Sequence, residues 1–485
     1  MQQNKEVIHH GAGEGVTGSC HEFFMSAQAS VLIDCGMFQG PDAFAFGAGS
    51  GSGSGSGFGQ DIDFSLDAVQ ALVITHCHID HVGRLPALLA AGFRGPIYCT
   101  PATAALLPLV LEDAMKVADY SASVATTVLK RVHAQLHAVP LDVWVERGAD
   151  PGPEGGADPG PDQGLHPFHP YRMRLRNAGH IMGSAYVEFE SLEQRDANGL
   201  PRRVVFSGDL GCKNTPLLPD PTPLEYADLL VLESTYGDRL HESRASRRFR
   251  LKAVIEKAFV DRGAVLIPAF SIGRMQELLY EIEDLIHEDP KWRKMTVILD
   301  SPLASAYTKQ YRRLKGLWDE EARERLADDR HPLNFERLHV VESHREHTQI
   351  VELLEARGEP AIVIAASGMC SGGRIMNYLK ALIGDERTDV VFVGYQAVGT
   401  PGRQIQEYGP RGGYVVLDHQ RYPIRAQIHT IGGYSAHADQ RELLEFLQTT
   451  VQPVHNVRLV HGETSAKTAL AAAINNANLI TGTVM

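Results

Sequence analysis

The sequence predicts an α/β protein built from more than one unit, and three observations carry that expectation. Short apolar runs recur along the chain, such as Leu72-Val73-Ile74 and Val265-Leu266-Ile267, with helix-like stretches between them. Several of these runs end in turns that carry His or Asp beside Gly. The 485 residues also exceed what one compact hydrophobic core organises.

The chain divides by character. Residues 1–236 alternate strand-like and helix-like segments with ligand-type residues at the turns. Residues 237–432 read differently. Here Val265-Leu266-Ile267 is strand-like, and an amphipathic helix opens at Arg274 and runs to Leu285-Ile286. The runs 295–299, 361–365 and 390–393 are again short, apolar and rich in β-branched residues. Continuous apolar strands alternating with helices predict a parallel sheet covered on both faces, a doubly wound domain inserted into the first. Residues 433–485 return to the first domain. Two tracts stand apart: the Gly-Ser segment 47–59 and the Pro/Gly/Asp segment 148–164, neither able to bury a core.

Composition sets bounds. Hydrophobic residues make up 44% and charged residues 22%, as in ordinary globular proteins. No run approaches the ~18–20 apolar residues of a membrane span, so no membrane partner is expected. The six cysteines are scattered, which predicts free thiols and a cytoplasmic location. The net charge of −13 argues against binding nucleic acid by bulk electrostatics, though not against local phosphate contacts at a metal site.

The densest chemical signal is His76-Cys77-His78-Ile79-Asp80-His81, which follows the strand-like Leu72-Val73-Ile74 and precedes a helix expected from Leu85. Three imidazoles and a carboxylate on so short a loop cannot close a tetrahedron around one ion. The spacing suggests two ions, His76 and His78 facing one, Asp80 and His81 the other. Cys77 alternates with the histidines and is expected to face away as a buried filler. More ligands stand at other strand ends: His180 in Ala178-Gly179-His180, Asp209 in Ser207-Gly208-Asp209, and His461 after Leu459-Val460.

This order of motifs resembles the metallo-β-lactamase superfamily. The resemblance implies that His76, His78 and His180 hold a first Zn²⁺, that Asp80, His81 and His461 hold a second, and that Asp209 bridges them. Asp34, in Leu32-Ile33-Asp34-Cys35, would lie behind the ligands, orienting them and supporting the bound hydroxide. The stretches 231–239 and 433–439 resemble the first two motifs of the β-CASP subfamily, whose members cleave nucleic acids, and His461 resembles the third. Ser435-Ala436-His437-Ala438-Asp439 is similar to the branch related to the pre-mRNA 3′-end cleavage nuclease. The implied architecture is an αββα sandwich capped by an inserted doubly wound β-CASP domain, with the active site in the cleft between them. The implied activity is hydrolysis of single-stranded RNA, internal cutting being favoured over 5′ trimming.

Roles follow from the chemistry. A bridging water on two ions loses its proton near neutral pH, and the ions clamp the phosphate. The leaving oxygen still needs a proton. His437 is the candidate donor, with Glu233 holding its far nitrogen; Asp34 and Asp80 complete the catalytic set. Ser367, Gly368, Met369, Gly372, Gly373 and Arg374 follow a buried strand, and such Gly-rich turns expose N–H groups that can hold phosphate. Plain structural connections look the same. Arg274 and Arg403 are comparable candidates. Arg312, Arg313 and Lys315 form a basic cluster that a solvated helix face explains equally well. Two other functions compete: a small-molecule hydrolase of the same superfamily, and a noncatalytic RNA-binding subunit. The inserted domain weighs against the first and the full ligand set against the second. Homodimerisation and protein partners are left open.

Overall fold

The computed structural model describes residues 6–39, 61–146, 170–196 and 198–485. The tracts 47–59 and 148–164 lie outside the described residues.

The chain divides into two compact units: Met1–Gly211, Pro221–Leu240 and His437–Met485 form one, Cys212–Asp220 and His241–Ala436 the other. The first contains two six-stranded sheets. In one, the parallel pair Ala29–Ile33 and Val69–Val73 lies at the centre. In the other, Leu229–Glu233 sits between Pro201–Phe206 and the returning strand Asn456–Val460, parallel to both. Alternate residues of each strand face one core, including Phe23, Val31 and Val73 from the first sheet and Phe189, Phe206 and Val231 from the second. The outer face of the second sheet is covered by the helices Gln440–Gln448 and Thr464–Asn476, through Leu443, Leu447, Leu470 and Ile474. This is the αββα sandwich.

The pairing explains how remote residues converge. Parallel strands end on the same edge of a sheet, so Ser207-Gly208-Asp209, Glu233 and His461 emerge side by side. Leu229 pairs with Asn456 and Glu233 with Val460, which places His461 one residue past Glu233's partner.

The second unit has a six-stranded, wholly parallel sheet. Across it the strands run Leu338–Val340, Thr296–Asp300, Ala361–Ala365, Ala264–Pro268, Asp389–Phe392 and Gln427–Thr430. The predicted runs appear within a residue or two, and the helix from Arg274 extends to Glu288. The first strand of the unit lies inside the sheet with later strands on both sides, which is the doubly wound arrangement. The edge strands Leu338–Val340 and Gln427–Thr430 have no continuous apolar run, so the sequence did not announce them.

Candidate metal and catalytic site

The ligand-rich segment begins where Val69–Val73 ends. Ile74, Thr75 and His76 are buried, and the chain then enters a single helical turn, Ile79–Val82. Asp80 and His81 therefore ride on a turn of helix rather than on an open loop. Two main-chain bonds fix that turn: Ser19 N–H donates to Asp80 O and Cys35 N–H to His81 O, both at 2.8 Å. Gly36 packs so closely that a Cβ there would lie 1.5 Å from Asp80 O. Cys77 is buried and turned toward Thr103 O, as expected of a filler.

The predicted ligands meet in two adjacent groups. His76, His78, His180 and Asp209 converge, and so do Asp80, His81 and His461. His78 Nδ1 lies 3.1 Å from His76 Nε2 and 3.0 Å from His180 Nε2. Asp209 Oδ2 is 3.5 Å from both His76 Nε2 and His180 Nε2. The other oxygen, Oδ1, faces the second group, 3.3 Å from His81 Nε2 and 3.7 Å from His461 Nε2. Asp80 Oδ2 is 3.4 Å from His461 Nε2.

These separations fit metal ions. Ligands at ~2.0–2.1 Å around a tetrahedral ion stand about 3.3–3.4 Å apart, close to the spacings seen. Among the described residues, Asp209 Oδ1 is buried without a hydrogen-bond partner. A buried carboxylate oxygen in that position is costly unless a cation faces it.

Three of the rings are aimed from behind. Thr75 Oγ1 lies 3.1 Å from His76 Nδ1, Asp34 Oδ2 is 2.7 Å from His81 Nδ1, and Thr235 Oγ1 is 3.0 Å from His461 Nδ1. Partners of this kind fix the ring orientation and the tautomer. Ser184 Oγ accepts from the N–H groups of His180 and Ile181 and shapes the turn that presents His180. Asp34 was expected also to support a hydroxide. Its oxygens are instead engaged by Thr75 N–H, Thr75 O–H and His81, so it positions ligands. Asp34 and His461 adopt left-handed backbone, at φ 61° and 51°. Such conformations cost energy in non-glycine residues and concentrate at functional sites. Thr75, Thr235 and Ser184 were not singled out in the sequence, where a lone Thr or Ser has no distinguishing pattern.

Electrostatics at the site are dominated by burial and by Asp209. Burial holds His76 well below the ordinary imidazole range. Burial pulls His81 down too, but Asp209 and Asp34 outweigh it and raise it well above that range. An ion bound at His81 Nε2 would therefore displace a proton.

His437 stands beside this cluster. Its Nδ1 is 3.0 Å from Glu233 Oε2 and 3.9 Å from Asp209 Oδ2. Glu233 is fully buried and held by Leu210 N–H and Thr235 O–H, each at 2.7 Å. Burial lowers the His437 pKa, yet Glu233 and Asp209 outweigh it, and the net shift is upward. Asp209, Glu233, His437 and His461 could also be counted as a ligand group. The nearer partner of His437 Nδ1 is Glu233, at 3.0 Å, against 3.9 Å for Asp209.

The Gly-rich turn after Ala361–Ala365 belongs to the second unit. It consumes much of its own donor capacity. Ser367 N–H donates to Gly372 O, Cys370 N–H to Ser367 O and Ser371 N–H to Ser367 Oγ. Arg374 was expected to offer a charge to phosphate. Its guanidinium instead donates to Asp300 Oδ1 at 2.5 Å and to Val341 O. Arg274 is likewise buried and paired with Glu277. Gly368, Met369, Gly372 and Gly373 keep the positions foreseen for them, between strand and helix.

Comparison with known families agrees with this geometry. Residues 23–171 match the metallo-beta-lactamase superfamily, 275–405 the Beta-Casp domain, and 421–481 the Zn-dependent metallo-hydrolase RNA specificity domain. The chain is a metallo-hydrolase of the metallo-β-lactamase superfamily and belongs to its β-CASP family. It is 36% identical over 464 residues to Ribonuclease TTHA0252 of Thermus thermophilus, covering 96% of this chain and 94% of that one. It is 29% identical over 465 residues to transcription termination factor FttA of Methanocaldococcus jannaschii, and 32% over 421 residues to FttA of Pyrococcus abyssi. The alignments cover 94% and 84% of this chain, and 66% and 59% of those longer proteins. Among the described residues, no helix is long and apolar enough to cross a membrane.

Proposed function

We propose that the chain is a zinc-dependent ribonuclease that hydrolyses phosphodiester bonds of single-stranded RNA at a dinuclear centre. His76, His78 and His180 would hold one ion, Asp80, His81 and His461 the other, with Asp209 between them. The single observation that carries the reading is the division of Asp209: Oδ2 faces one histidine group and Oδ1 the other. A ribonuclease name on a relative aligned over nearly the whole of both chains supports RNA as the substrate.

Zinc held by these residues would supply Lewis-acid chemistry, activating water and offsetting the phosphate's charge. The protein supplies the rest. Asp34, Thr75 and Thr235 keep the imidazoles in the tautomer that donates a lone pair inward. Glu233 holds a proton on His437 Nδ1 and favours the imidazolium, which can give its other proton to the leaving oxygen.

Purified protein should shorten an end-labelled single-stranded RNA, lose that activity in chelator and regain it with zinc. Equal cleavage of the matched DNA strand would overturn the preference for RNA, and cleavage unaffected by chelator would overturn the metal mechanism.

A further inference from the structure

We infer that the β-CASP unit carries an anion site of its own, an open basic pocket that binds backbone phosphates of single-stranded RNA and shares no residue with the hydrolytic cluster. The inference rests on the ribonuclease reading above.

The pocket has a volume of about 390 Å³. Lys309, Arg312, Arg313 and Lys315 line it, all four exposed. Three of them stand at i, i+3 and i+4 near the end of the helix Pro302–Arg313, so they share one face. His331 and Asn334 close it from another segment, over a floor of buried Trp318 and Leu333.

The charge balance sets this pocket apart. Like charges at these spacings repel one another on a helix face. Several other arginines of the unit are matched: Arg244 with Glu321, Arg247 with Glu281, Arg330 with Glu283. Among the described residues, no carboxylate forms an ion pair with Lys309, Arg312, Arg313 or Lys315. Part of the cluster is accounted for by the helix C-terminus, which favours cations. That effect fades within a turn and does not require four cations around one concavity. An uncompensated concave cluster on a chain of net charge −13 focuses a local positive field.

The ligand follows from the lining. Flexible ammonium and guanidinium groups suit phosphate oxygens. The aromatic ring on the floor is buried and its indole N–H donates to Tyr311 O, so it offers no stacking face to a base. Backbone phosphates, read without sequence, match such a site better than a free nucleotide does.

Within its own unit the pocket lies away from the Ser301 edge of the sheet. The chain leaves the carboxyl end of Thr296–Asp300, and the helix Pro302–Arg313 carries it back toward the opposite edge of the sheet. Twelve residues of helix span about 18 Å, which separates the pocket from the Ser301 edge, where the turn 367–374 also lies.

The test is binding of a short labelled single-stranded RNA with hydrolysis-resistant phosphorothioate linkages to the metal-loaded full chain, across a salt series. Arg312→Glu with Arg313→Glu should weaken binding about tenfold or more, and each lost contact should reduce the salt slope by about 0.7. Arg312→Lys with Arg313→Lys should restore most of the affinity, which a misfolded variant would not do. Hydrolysis of a nitrophenyl phosphodiester should stay at the wild-type rate in both variants. Unchanged RNA affinity and slope in the charge-reversed variant would overturn the inference. So would adenosine monophosphate binding that the charge reversal abolishes but that does not compete with RNA. Failure of the ribonuclease reading would show separately, as RNA bound but never cut.

Discussion

His78→Ala should abolish hydrolysis of every phosphodiester tested, RNA and activated substrate alike. His78 Nδ1 is the atom that meets both His76 and His180, so its loss opens the first ion's shell on the side facing two other ligands. Asp209→Asn should be as severe, because the amide keeps one acceptor and loses the negative charge directed at both groups. Asp34→Asn provides the scale. It touches no proposed ion but aims His81 and holds Thr75, a kind of change that typically costs about 10–100-fold. Rates and bound zinc measured together check the order. His78→Ala retaining both ions and a rate near that of Asp34→Asn would remove His78 from the ligand set.

His437→Ala should keep its metal and still lose most of its rate on RNA. General acid catalysis contributes typically ~10²–10⁴-fold. The deficit should shrink on a nitrophenyl phosphodiester, whose leaving group needs no proton. The pH profile adds a sign. His437 donates only while protonated, so the RNA rate falls as pH rises through its pKa, which lies above the ordinary imidazole value. Glu233→Gln removes the charge that favours the imidazolium, so this alkaline limb should move to lower pH while the fold is retained. A His437→Ala variant that loses zinc, or is equally crippled on the activated substrate, would make His437 a ligand or a structural residue.

Much of this was legible in the sequence because it is local. His76 to His81 is a contiguous cluster, and His180, Asp209 and His461 each follow a strand-like run, so a shared sheet edge could be expected. What was not legible is tertiary. Arg374 lies 74 residues from Asp300, and nothing in its Gly-rich context announces that a buried carboxylate claims it. Thr75 and Thr235 differ from other threonines only by standing behind an imidazole in space. The Lys309 to Lys315 cluster was visible as charge. Its concavity depends on His331, Asn334 and Trp318, which come from separate turns of chain.

The central claim is a dinuclear hydrolytic centre, and metal titration into metal-free protein tests it most directly. The account predicts two zinc ions bound per chain, proton release as His81 and its neighbours are captured, and RNA cleavage that rises in step with occupancy to its maximum at two. Full activity at one ion per chain, or none at any occupancy, would contradict it.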